Sequence, residues 1–253
     1  MQFGAITGYV DLAQIILYAF WLFFAGLIYY LVREGHREGY PMVSDGLSRE
    51  VLGWPVPEPK VYKTVHGDVT VPDMNRREPA YSASATYASP GSPVVPNGNP
   101  LLAGVGPGAW SNRADIPDMM HAGGVKILPL RAAIAYSVSP NDTDPRGLPV
   151  IGGDGASGGT VRDVWLDQAE MMFRYLEIET PTPSGPRRVL LPIPMAKISK
   201  KGVRVESIYG RQFADVPGLR NPDQVTFLEE DKISAYYAAG TLYAHPSRGE
   251  PLL

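Results

Sequence analysis

The chain has no cysteine, which excludes a disulfide framework, a thiolate metal site and a cysteine nucleophile. Charge is sparse as well: 23 Lys and Arg face 26 Asp and Glu, a formal net charge of −3, without the basic surplus of a nucleic-acid binder. The four histidines, His36, His66, His121 and His245, are dispersed along the chain, so no metal site made by this chain alone is expected. No nucleophile-elbow spacing of Ser, His and Asp is present, which removes support for an autonomous hydrolase. Gly153-Asp-Gly155-Ala-Ser-Gly158 has the glycine spacing of a dinucleotide fingerprint. A strand-like Thr160 to Leu166 follows it where that motif needs a helix, so Asp154-Gly155 reads as a hairpin turn.

What the chain does have is one extreme apolar run. Leu12 to Val32 carries no charge, only Gln14 is strongly polar, and twelve of its residues are Leu, Ile, Phe or Val. As a helix it spans roughly 31 Å, the hydrocarbon thickness of a bilayer, and those twelve residues favour insertion by roughly 4–7 kcal/mol. A cleaved signal peptide is disfavoured, because no Lys or Arg precedes the run and no small-residue cleavage site follows it. Arg33 and Arg37 come directly after it, so the positive-inside bias predicts the N-terminus outside and the bulk of the chain in the cytoplasm.

The remainder is rich in Gly (27) and Pro (25), and ten of the prolines fall between Gly53 and Pro107, where regular helix is excluded. Lys60 to Val71 alternates well enough for one or two edge strands. Tyr81, Tyr87, Val94, Val95, Leu101, Leu102 and Trp110 supply apolar anchors, which predict an extended segment laid on a partner's surface. From about Leu148 to Ile208, short β segments separated by turns predict a small, mostly antiparallel barrel. Among them are Val161 to Leu166 and Arg174 to Glu179, the latter with Leu176 and Ile178 on one face and Glu177 and Glu179 on the other. Thr226-Phe-Leu-Glu229 is a capping box that opens a helix, with Gly240 where a left-handed C-terminal residue would stand. The acidic run Glu229, Glu230, Asp231 reads as a solvated helix start.

The expected fold class is therefore a single N-terminal transmembrane α-helix plus a mostly-β cytoplasmic domain, a small antiparallel barrel, with a C-terminal helix. The expected divisions are an N-terminal tail over 1–11, the membrane helix over 12–32, an extended segment over 33–135, the barrel over 136–210, and a C-terminal segment over 211–253 with a helix at about 226–239.

The most informative chemical group is Asp167-Gln-Ala-Glu170 at a turn between two strands, with Arg174 following. One reading is a turn in which Asp167 accepts backbone hydrogen bonds and Glu170 pairs with Arg174. The other is proton handling: under a covering partner, desolvation and mutual repulsion would raise one carboxyl pKa toward neutrality.

The chain is similar to the H subunit of the photosynthetic reaction centre of purple bacteria. The resemblance runs almost end to end, through Phe20-Trp21, Ala25-Gly-Leu-Ile-Tyr29, Arg37-Glu-Gly-Tyr-Pro41, Gly104-Val-Gly-Pro107 and Asp144-Pro-Arg-Gly-Leu-Pro149. It continues through Val164-Trp-Leu-Asp167, Arg174-Tyr-Leu-Glu-Ile-Glu179, Leu190-Leu-Pro192 and Glu229-Glu-Asp-Lys-Ile233. It implies a PRC-type barrel and a non-catalytic subunit that caps the L and M subunits, shields the quinone sites and conducts protons to the secondary quinone. It also implies the bacterial inner (intracytoplasmic, chromatophore) membrane, crossed once with the N-terminus periplasmic. Membrane lipids, a light-harvesting 1 antenna ring and a cytochrome subunit are the further implied neighbours, and no nucleic acid is. The chain alone is expected to bind no cofactor, while L and M hold bacteriochlorophyll, bacteriopheophytin, quinones, non-haem iron and carotenoid. Glu170 matches the family's proton-transferring Glu, with Asp167 and Arg174 as its neighbours. Some members carry a histidine pair and an aspartate before a Lys-Ile where protons are admitted. Here the stretch reads Asp118-Met-Met-His121-Ala-Gly-Gly-Val-Lys126-Ile127, so Asp118, His121 and Lys126 are the candidates to substitute. The competing class is a membrane-tethered adaptor module, because PRC-barrels also serve as binding domains.

Overall fold

A computed structural model describes residue 7 and residues 11–40, 43–44, 49–50, 56–65, 67–72, 82–88 and 92–249. His66 and Tyr81 lie outside the described residues, as does most of the N-terminal tail. The chain divides into two compact units, Met1–Arg77 and Glu78–Leu253.

In the first unit, α1 runs Leu12–Gly35. Asp11 caps it by accepting the Gln14 backbone N–H at 2.7 Å. No residue of α1 is buried within the chain, so its Leu, Ile and aromatic side chains face outward all round, as a bilayer-spanning helix requires. The helix continues three residues beyond the expected end, and those residues build a polar collar. Glu34 accepts from Arg37 Nε and from Lys60 Nζ, each at 2.8 Å. Lys60 opens the hairpin of β3 (Lys60–Thr64) and β4 (Gly67–Val71), which lies within the segment where alternation predicts edge strands. Before it, β1 (Val43–Ser44) pairs antiparallel with β2 (Arg49–Glu50).

In the second unit, β5 (Ala83–Ala85) and β6 (Val94–Pro96) form a separate two-stranded ribbon. The main sheet has seven strands: β7 (Ile127–Pro129), β8 (Pro149–Ile151), β9 (Ser157–Asp167), β10 (Met172–Thr182), β11 (Gly185–Pro192), β12 (Lys197–Ser199) and β13 (Gly202–Arg204). Their order is β11-β10-β9-β8-β13-β12, and β7 pairs with the far end of β9. All pairings are antiparallel except β13 with β8. The path is not closed, and the domain is the small, mostly antiparallel β structure that the segment pattern predicts. Gly155 sits at φ 79° in the β8–β9 turn, where Asp154 accepts the Ala156 N–H.

The core lies between this sheet and α2 (Phe227–Tyr243). Trp165, Phe213, Tyr236 and Tyr237 are its largest fully buried side chains, each contributing on the order of 2–3 kcal/mol by burial. Of the expected apolar anchors, Leu101 enters this core, whereas Tyr87, Val94, Val95 and Leu102 stay exposed and Trp110 lies under the Lys232 ammonium.

One local expectation fails for a physical reason. Gly240 lies inside α2, because a β-carbon there would come within 2.4 Å of the Ser207 carbonyl oxygen, so it serves close packing and not termination. Glu177, on the face of β10 opposite Leu176 and Ile178, is 2% exposed, because that face is covered as well. Its carboxylate is satisfied by Arg131 at 2.6 Å, Trp165 Nε1 at 3.0 Å and Arg188 at 3.0 Å.

Candidate functional site

The β9–β10 turn is built around Asp167. Its Oδ1 accepts the backbone N–H groups of Ala169 and Glu170, both at 3.0 Å, which fixes the turn. Met171 completes it at φ 55°, a left-handed conformation unusual for that side chain. The same turn bends Arg174 back, so that its Nε reaches Asp167 Oδ2 at 3.2 Å and its Nη2 reaches Glu170 Oε2 at 2.7 Å. The geometry is that of the first reading, for Asp167 accepts from backbone and Glu170 pairs with Arg174.

A distant stretch completes the group. β7 pairs with β9 so that Ile127 stands opposite Asp167, which leaves Lys126 just past the strand end, over the turn. Gln168 ties it there, its N–H donating to the Lys126 carbonyl and its amide to the Val125 carbonyl, each at 3.0 Å. The Lys126 ammonium then lies 3.3 Å from Asp118, 3.5 Å from Asp167 and 3.5 Å from Glu170. Three carboxylates and two cations thus share one knot. Of the six residues singled out from sequence, five meet. His121 is exposed in the turn that links Asp118 to Lys126, and no hydrogen bond or ion pair joins it to them.

The electrostatics separate the acids. Burial, the largest influence, pushes the Asp167 carboxyl up, but the backbone N–H of Glu170, the charges of Lys126 and Arg174, and the Ala169 N–H together hold it below its ordinary value. Lys126 is held above its ordinary value, since Asp118, Asp167 and Glu170 outweigh its desolvation. Asp167 is 0% exposed and Glu170 47%, so the first is a fixed charge and the second the acid in contact with the surroundings. Among the described residues no group of acids and histidines is arranged to hold a metal ion. A cavity of about 830 Å³, lined by residues such as Val94, Leu101, Arg211 and Tyr243, shares no residue with the knot.

Sequence reasoning missed one neighbour. Glu230, in the first turn of α2, is half-buried, and Tyr175 Oη donates to its Oε2 at 2.5 Å. Burial raises the pKa of this carboxyl, offset in part by Tyr175 and by the charges of Arg113 and Arg174. A sequence signal existed, because Glu230 lies four residues past the Thr226 cap and so turns with the helix face that carries the cap's contacts.

A helix of membrane-spanning length and a mostly antiparallel β domain with a knot of acids and bases at one of its turns define a protein with one apolar helix and a small β domain. Residues 141–212 match the PRC-barrel domain family, and residues 4–132, just over half of the chain, match the family "Photosynthetic reaction centre, H-chain N-terminal region". The chain belongs to the photosynthetic reaction centre H-chain family. That family is a structural subunit of a reaction centre, associated with the L and M subunits, and the apolar helix near the N-terminus fits a membrane location.

Proposed function

We propose that this chain caps the L and M subunits on the cytoplasmic side of the membrane, shields their quinone sites from water and conducts protons toward the secondary quinone. The observation that carries this reading is the knot of Lys126, Asp118, Asp167, Glu170 and Arg174. A quinone reduced by two electrons to the quinol consumes two protons. In a dry interface, protons travel only along titratable side chains or ordered waters, since an isolated charge there is too costly.

The residues divide that task. Asp167 stays ionised and anchors Lys126 and Arg174, which would otherwise repel each other. Asp118 holds Lys126 from the other side. Glu170 has one oxygen 2.7 Å from Arg174 and the other 3.5 Å from Lys126, with the rest of its carboxylate open, so it can accept a proton on one face and release it on another. The orientation follows from Arg33 and Arg37 at the end of α1, which favour the cytoplasmic side.

Glu170→Gln keeps the shape and removes the proton site. Flash-induced proton uptake on the second quinone reduction slows in that variant, with assembly and primary charge separation unchanged. Uptake at the wild-type rate overturns the proposal.

A further inference from the structure

The Thr226–Glu229 capping box fixes the start of α2. The segment before Asp118 is bound along that start, where the Phe227 N–H donates to the Ile116 carbonyl and Pro117 bridges to Thr226. This arrangement seats Glu230 against β10, where Tyr175 is 6% exposed and its hydroxyl meets the carboxylate at 2.5 Å.

Unlike Asp167, Glu230 has one hydrogen-bond donor and, among the described residues, no cation within salt-bridge distance. The charged groups that bear on it come from three elements. Arg113 and Asp118 face it from the loop, Arg174 from β10, and Asp231 stands beside it on α2, itself paired with Arg113 at 3.6 Å. Two of these, Asp118 and Arg174, are members of the Lys126 knot. Glu230 is therefore coupled to the knot through charges that both share.

We infer that Glu230, held by Tyr175, is a second proton-holding carboxyl of this site, charged and discharged in step with the Lys126–Asp167–Glu170 knot. The inference rests on the proton-conducting reading of that knot. A half-buried carboxylate with a single neutral donor and no direct counter-ion is the acid most readily neutralised, whereas the acids of the knot are pinned by Lys126 and Arg174. When Glu230 binds a proton, Arg174 loses one of the negative charges it faces and acts more fully on Asp167 and Glu170. When Glu230 releases the proton, the reverse holds.

The test is an infrared pH titration of the intact complex carrying ¹³C-labelled glutamate, in the wild type and in Glu230→Gln, Tyr175→Phe and Glu170→Gln. A protonated-glutamate carbonyl band persists above the ordinary glutamate range near about pH 4.3 and is lost in Glu230→Gln. In Tyr175→Phe the band remains and its midpoint rises by about one to two pH units, because the bond that favoured the ionised form is gone. The band survives in Glu170→Gln, and proton uptake in that variant is read separately, so a failure of the conduction reading is distinguishable from a failure here. Retention of the full band in Glu230→Gln, or an unmoved or lowered midpoint in Tyr175→Phe, overturns the inference.

Discussion

Replacing Asp167 by Asn tests whether the knot is held by charge or by shape. The side chain is fully buried, with one oxygen bound to two backbone N–H groups at 3.0 Å and the other facing Arg174 at 3.2 Å and Lys126 at 3.5 Å. An amide can satisfy the backbone donors only by turning its NH2 toward two cations, and can serve the cations only by turning its NH2 toward two N–H groups. Breaking a buried ion pair costs about 3–5 kcal/mol. Arg174 and Lys126 are 38% and 20% exposed and recover part of that in water, which leaves about 2–3 kcal/mol. For a unit of this size that lowers Tm by about 5–10 °C. The assay is thermal unfolding of the purified chain in detergent, followed by tryptophan fluorescence across pH. The sign follows from the depressed native pKa: the stabilisation is complete above the unfolded value of 3.8 and is lost as pH falls through the lower native value. The gap between wild type and variant therefore closes in acid. Equal stability at pH 7, or a gap unchanged in strong acid, refutes the argument.

Glu177→Ala strips the acceptor from Arg131, Arg188 and Trp165 and is expected to cost about 3–5 kcal/mol, with a double-mutant cycle against Arg131→Ala showing strong coupling; additive losses would contradict it. Gly240→Ala drives a methyl group into the Ser207 carbonyl and Ile208 and is expected to lose about 1–3 kcal/mol in a urea titration, although alanine is ordinarily the better helix former. Thr226→Ala removes the hydroxyl that caps Glu229 N–H at 3.1 Å and donates to Asp115 at 2.8 Å, for a loss of about 1–2 kcal/mol by the same measurement.

The membrane helix, the β segments and the start of α2 were legible because each is written locally, as an unbroken apolar run, as alternation and as a capping box. The turn at Asp167 was legible for the same reason, since Asp167, Glu170 and Arg174 stand within eight residues of one another. The family resemblance offered Asp118 and Lys126 only as candidates where protons are admitted, and their juxtaposition with that turn was not foreseen, because it depends on β7 pairing with the end of β9, some forty residues further along the chain. Glu230 was misread as part of a solvated helix start, and the burial of Glu177 was not foreseen. A tyrosine 55 residues distant meets the first, and Arg131, Trp165 and Arg188, 46, 12 and 11 residues away, meet the second. Such long-range partners leave no periodic trace. His121, by contrast, sits on an exposed turn outside the knot.

The central claim is most directly tested by purifying the native assembly through a tag on this chain and recording its visible and near-infrared absorption. The account predicts bacteriochlorophyll bands and extractable quinone in fixed proportion to the chain. A colourless, quinone-free preparation would contradict it.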